Sequence, residues 1–111
     1  MEISTNQYKH CDVVKVTGRL DSFTSPKLAE ELTKINEQNR YKVILDFTSL
    51  EFISSAGLRV LIANLKNCKR YNRGELVVAG LSPAIHSVFE LAGFHRIFKI
   101  FPDVITAVGS F

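Results

Sequence analysis

An α/β fold built on a mostly parallel sheet is what this sequence predicts, and three observations carry the prediction. Short apolar runs alternate with longer segments whose apolar residues recur at helical spacing. Two of the runs, Val43-Ile44-Leu45 and Leu76-Val77-Val78-Ala79, are apolar at every position, the pattern of strands buried on both faces. The periodic segments open on Ser or Asp start signals, twice as Ser-Pro. Alternation of strands with helices implies parallel pairing through right-handed crossovers.

Taken in order, residues around Ile3 to Tyr8 read as an edge strand, and Val13 to Val16 with Leu20 as the next strand. Ser25 is the expected N-cap of the first helix, with Pro26 at its first helical position. Leu28, Leu32 and Ile35 mark its apolar face, and Glu30, Glu31, Lys34 and Glu37 lie opposite. Lys42 to Phe47 is a strand, followed by a loop through Thr48, Ser49 and Leu50. Phe52-Ile53-Ser54-Ser55-Ala56-Gly57-Leu58 then opens a second helix. Its stripe is Leu58, Leu61, Ile62 and Leu65, with Arg59, Asn64, Lys66 and Asn67 expected to face water. Leu76 to Ala79 is the next strand. Ser82-Pro83 starts a helix with the stripe Ile85, Val88, Phe89 and Ala92, closed by a Gly93 cap. A weaker strand, Ile97 to Phe101, and a short helix from Asp103 complete the series. The expected order is β-β-α-β-α-β-α-β-α, a sheet of four to five strands with about four helices.

The bulk properties set limits. The 111 residues suffice for one compact domain, expected to cover 1–111, and eight phenylalanines give its core bulk. A formal charge of +3 is mild, and the one cationic run, Lys66, Lys69, Arg70 and Arg73, reads as a solvated helix end rather than a nucleic-acid surface. No apolar run approaches the ~20 residues of a membrane-spanning helix. Cys11 and Cys68 belong to no metal-binding array, so two reduced thiols in a cytoplasmic protein are expected, with no metal and no cofactor.

In parallel sheets, sites gather at the carboxyl ends of strands. Here those ends bring Gly18 to Ser25, Asp46 to Ser55 and Gly80 to Ser82 to one edge, placing Asp21, Asp46, Thr48, Ser54 and Ser55 in one neighbourhood. A nucleophilic serine needs a positioned base. His10, His86 and His95 do not supply one convincingly, and no nucleophile elbow or phosphate-binding glycine loop is present. Catalysis by this chain is therefore not expected. Ser54 and Ser55 admit two compatible readings: helix capping, and modification by a phosphate that a helix N-terminus favours.

The segment Asp46-Phe47-Thr48-Ser49-Leu50-Glu51-Phe52-Ile53-Ser54-Ser55-Ala56-Gly57-Leu58, together with Gly18-Arg19-Leu20-Asp21 ahead of Ser25-Pro26, resembles the signature of STAS domains, specifically the bacterial anti-sigma factor antagonists. The resemblance covers almost the whole chain. It implies the STAS fold and a partner-switching function in which the protein is a substrate and not an enzyme. Unphosphorylated, such an antagonist binds an anti-sigma factor that is also a serine kinase, and so frees a sigma factor. The kinase phosphorylates it and is released, and a serine phosphatase restores it. Aligning Gly57-Leu58 with the family's Gly-Leu puts the phosphorylated position at Ser55, with Ser54 as the less favoured alternative. The implied partner-binding residues are Asp21, Ser22, Thr48, Ser54, Ser55, Gly57 and Arg59. Ser54 stands where many of these antagonists carry Asp; a neighbouring Asp would repel a phosphate, so its absence removes a cost.

The expected partners are thus the kinase and the phosphatase, with no direct nucleic acid and no membrane, the chain itself being a monomer or weak dimer. Two other readings stand beside this one. A STAS subunit of a larger sensory or transporter-associated assembly is one. The other is a small nucleotide-binding protein using Asp21 and Asp46.

Overall fold

The computed structural model describes residues 1–111. Two N-terminal strands, β1 (Glu2–Gln7) and β2 (Asp12–Leu20), form an antiparallel pair. Then follow α1 (Ser25–Glu37), β3 (Lys42–Asp46), β4 (Leu50–Ile53), α2 (Ser55–Lys69), β5 (Glu75–Ala79), α3 (Pro83–Leu91), β6 (Ile100–Phe101) and α4 (Val104–Gly109). The sheet order is β1-β2-β3-β5-β6, and every pair except β1-β2 is parallel.

Alternation along the strands divides the interior in two. Val14 and Val16 of β2, Val43 and Leu45 of β3, and Leu76 and Val78 of β5 face the larger cluster, under α1, α2 and α3. Val13, Ile44, Val77 and Ala79 face the opposite side, where they meet Ala107 of α4. The uninterrupted apolar runs of β3 and β5 follow from this, because both of their faces are covered.

The sixth strand is a departure from the expected four to five. Leu50–Ile53, expected as the end of a loop at Leu50 and the opening of the helix segment at Phe52-Ile53, pairs in parallel with β2 at Gly18, Arg19 and Leu20, where β3, which pairs with Asp12 to Lys15, has left off. The chain bends out through Phe47 to Ser49 and returns to the same partner. Alternation is masked there because Leu50 and Ile53 are buried while Glu51 and Phe52 are exposed. At the other end, β6 is only Ile100–Phe101. Residues Phe94–Arg96 form a 3-10 turn after Gly93 (φ 75°), which brings Phe94 and Phe98 against Phe89, with centroids 6.0 and 6.1 Å from its ring.

Two faces also differ from expectation. Asn64 does not face water: it is buried and its Nδ2 donates to Asn36 Oδ1 at 2.9 Å, which Asn67 Nδ2 also reaches at 2.7 Å. Asn36 Nδ2 in turn donates to Arg40 O at 3.0 Å. These bonds tie α1 to α2 in the apolar seam beside Cys68, whose thiol burial pushes up to about 11. Ala92 is exposed, at the C-cap of α3.

Gly57 marks the tightest approach of α2 to the sheet. A Cβ there would lie 2.9 Å from Ile53 Cγ1 and 3.0 Å from Leu20 Cγ. Neither is a side-chain tip: Ile53 Cγ1 is a methylene and Leu20 Cγ a branch carbon, both on buried residues, so they cannot swing aside freely. Replacement by alanine gains about 1 kcal/mol of helix propensity but forces overpacking that costs about 1–3 kcal/mol. Gly57→Ala is expected to lower the midpoint of thermal unfolding by several degrees; an unchanged or raised midpoint would show that helix and sheet can separate cheaply.

Candidate functional site

The site is built where β2, β4 and α2 meet. Ser54 N–H donates to Leu20 O at 2.9 Å, which fixes the start of α2 against the end of β2. Ser54 is the N-cap, in extended conformation, and its Oγ accepts from Gly57 N at 3.3 Å. Ser55 is the first helical residue and is exposed. The two serines therefore divide the work: Ser54 caps, and the Ser55 hydroxyl is presented to solvent with no capping duty.

The loop after β2 is equally ordered. Asp21 Oδ1 accepts from Phe23 N at 3.0 Å, Thr24 N at 3.1 Å and Thr24 Oγ1 at 3.1 Å. The single Thr24 hydroxyl proton is shared between Asp21 Oδ1 and Arg19 O, the latter at 2.8 Å, and Thr24 Oγ1 accepts from Asp21 N at 2.8 Å. The expected Ser25 cap is not formed: the N-cap is Thr24, and α1 has no side-chain cap bond. Ser25 is itself the first helical residue, and its Oγ donates to Asp21 O at 2.5 Å. The bond from the Thr24 amide, then those from the Thr24 hydroxyl and the Phe23 amide, hold the Asp21 carboxyl below its ordinary value of 3.8, with Arg19 adding a smaller pull.

Between α1 and α2 runs an open groove of ≈ 470 Å³, whose upper part is lined by Ser22, Ser25, Ala29, Ala56 and Arg59. Asp21, Ser22, Ser54, Ser55 and Arg59 are thus brought to one corner. Thr48 is not tied to it. Its N–H and Oγ1 both bond Asp46 Oδ1, at 3.1 and 2.6 Å, and its methyl fills the space over Gly80, where an added Cβ would lie 2.3 Å away. Gly57, expected to touch a partner, is buried, with its backbone packed against Ile53 and Leu20. Asp21 and Asp46, the pair weighed for nucleotide binding, each turn Oδ1 into their own loop. No group of three His, Cys, Asp or Glu side chains converges anywhere, and His86 pairs with Glu90 on α3 at 2.7 Å.

The family model for the STAS domain matches residues 2–107. The chain belongs to the STAS domain family. It is 31% identical over 100 residues to an anti-sigma-B factor antagonist of Listeria monocytogenes, covering 90% of this chain and 86% of that protein. Among solved structures, an anti-sigma factor antagonist from Mycobacterium paratuberculosis aligns with a TM-score of 0.89 at 22% identity, over 98% of this chain and 92% of that one. The unphosphorylated form of the anti-sigma factor antagonist SpoIIAA aligns with a TM-score of 0.83 at 16% identity, over 96% and 93%. Its phosphorylated form aligns at 0.76 and 15%, over 98% of each chain. At these identities the structural matches establish the fold.

One feature of this STAS corner escaped the sequence reading at the level of the residue. Phe23 is 90% exposed, although it belongs to a chain with a large phenylalanine core. The signal was Asp21 itself: an Asp that accepts from the amides two and three residues on makes a tight turn, and that turn points the intervening side chains outward. Nearby, the Arg19 guanidinium lies 4.2 Å from the centre of the ring of Phe52 on β4, which is thus covered by a cation.

The depressed Asp21 carboxyl makes this corner acid-sensitive. A carboxylate whose folded value is lowered stabilises the fold fully above its unfolded value, and that contribution disappears as pH falls through the folded value. The Phe23 and Thr24 amide resonances are therefore expected to titrate together, with a midpoint below 3.8, and to be insensitive to acid in Asp21→Asn. A midpoint at or above the ordinary carboxyl value would show that the loop bonds are not formed in solution.

Proposed function

We propose that this protein is an anti-sigma factor antagonist of the partner-switching kind, phosphorylated on Ser55. The observation that carries the reading is the division of labour between Ser54 and Ser55. In a family whose members include anti-sigma-B factor antagonists, the first turn of α2 offers one hydroxyl that caps and one that is exposed. A phosphate on the exposed one lies at a helix N-terminus, where unpaired amides and the dipole favour an anion. The helix keeps its cap, so the fold survives the modification.

In this reading the unphosphorylated protein binds an anti-sigma factor that is also a serine kinase, and the sigma factor is freed. The contact surface is the exposed side of the first turns of α2, with Arg59, and the Arg19 to Phe23 loop including Asp21 and Ser22. A phosphate brings roughly −1.5 to −2 charges to the centre of that surface. A partner built for a neutral hydroxyl is repelled, and a serine phosphatase resets the switch. The chain supplies the substrate and the docking face, and the chemistry belongs to the kinase and the phosphatase.

Site-resolved mass spectrometry after incubation with the cognate kinase and ATP tests the assignment. Phosphate is expected on Ser55. Ser54→Ala should still be phosphorylated while losing about 1 kcal/mol of stability with its cap. Ser55→Ala should stay folded, bind the kinase and resist release, and Ser55→Asp should bind at least tenfold more weakly. Phosphate on Ser54 alone would move the register by one residue; phosphate on neither would remove the switch from this protein.

A further inference from the structure

We propose that Arg59 is the internal counter-ion of a phosphate on Ser55, and that its capture by that phosphate withdraws it from the partner. The inference rests on the reading of Ser55 as the acceptor. Ser55 is the first residue of α2, and Arg59 stands four residues on, along the same helix face. Side chains so placed start about 5–6 Å apart at Cβ, and an anion N-terminal to a cation is the favourable order. A guanidinium also matches phosphate geometry in a way an ammonium does not.

The surroundings leave Arg59 available. The first turn of α2 contains no acid. The four ion pairs of the chain join Lys34 to Glu30, Arg40 to Asp12, His86 to Glu90 and Lys99 to Glu75, and none includes Arg59. On the adjoining loop, Asp21 has its Oδ1 engaged by Phe23 and Thr24. Arg19 is occupied with the Phe52 ring, and Glu51 is exposed on β4. Arg59 therefore lines the mouth of the α1–α2 groove beside Ser22 and Ser25 without a carboxylate of its own.

That position gives the residue two alternative uses. Without phosphate, it is an unpaired cation at the face offered to the anti-sigma factor, suited to a carboxylate on that partner. With phosphate, the nearest dianion is its own chain's, one turn away. Phosphorylation then acts twice, adding negative charge to the surface and removing the positive charge that surface displayed.

The test does not need the kinase. Phosphoserine installed at position 55 by genetic encoding is titrated by phosphorus NMR at low ionic strength. The second ionisation constant of the phosphate is expected to be roughly threefold or more larger in the wild-type protein than in Arg59→Gln, with Arg59→Lys between them. Superimposable titrations would overturn the clamp. In a second measurement, unphosphorylated Arg59→Gln should bind the anti-sigma factor at least tenfold more weakly than wild type; equal binding would overturn the withdrawal. Arg59 is exposed, so both variants should melt as the wild type does. A kinase that leaves Ser55 unmodified would instead refute the acceptor assignment, and the titration would still report on Arg59.

Discussion

A single backbone bond organises the functional corner: the Ser54 amide donates to the Leu20 carbonyl at 2.9 Å. It continues the pairing of β4 with β2 past Ile53, the last paired residue of the strand. It also sets the first turn of α2, because it consumes the N-cap amide and leaves the Ser54 side chain free to accept from Gly57. Buried amides must find acceptors, and at this point sheet and helix compete for none. The absence of a side chain on Gly57 lets the helix lie against Leu20 and Ile53. Strand register, helix entry and serine orientation therefore depend on one another. A slip of one residue in β4 would turn Leu50 and Ile53 to solvent and move the serine hydroxyls with them.

A second constraint holds the two helices that border the groove. Asn36 stands at the centre of a polar cluster in an apolar seam, accepting from Asn64 and Asn67 and donating to Arg40 O. Arg73 extends the cluster by donating to Asn67 O at 2.6 Å, while its guanidinium stacks 3.8 Å from the centre of the Tyr41 ring. No buried side-chain nitrogen or oxygen is left without a partner. Satisfied networks of this kind add little net stability but specify geometry, since any other helix rotation leaves amides unpaired in a dry environment. The groove above the network is lined by the small residues Ala29 of α1 and Ala56 and Ala63 of α2.

Periodicity was enough to read the layout. The runs at Val43 and Leu76 announced strands covered on both sides, and Ser82 caps α3 as its Ser-Pro signal indicated, accepting from Ile85 N at 3.3 Å. The failures have a common physical source, which is that local signals name a residue type and not its partner. Ser25-Pro26 resembles a cap, yet Ser25 is already helical, its Oγ donates back to Asp21 O, and the N-cap position falls to Thr24 with no side-chain cap bond. Leu50 to Ile53 shows no alternation, because its exposed pair Glu51 and Phe52 sits between two buried residues. Asn64 reads as a polar-face residue until α1 supplies Asn36 opposite it, twenty-eight positions away. The positions of Ser54 and Ser55 at the start of α2 and of Asp21 in the turn after β2 were legible because such residues are tied to a helix start and a turn. Thr48 and Gly57 entered through the same motif, and each has a structural duty, Thr48 in bonding to Asp46 and Gly57 in the close packing of α2.

The arrangement explains how a modification can change binding without changing structure. Structural duty at the start of α2 falls on backbone, on Ser54 Oγ and on Gly57, none of which a phosphate on Ser55 touches. The neighbouring loop is pinned by Asp21 through bonds that do not involve Ser55 either. What a phosphate on Ser55 would change is therefore charge: under the proposed assignment a dianion would stand at the first turn of α2, where oriented amides favour it. The internal environment accommodates this charge at little cost, whereas an opposing protein surface must desolvate it to dock, and burying an unpaired charge is among the most expensive steps in recognition. A phosphate at that position would thus be tolerated by the fold and rejected by a docking surface, and the difference between those two free energies would set the working range of the proposed switch.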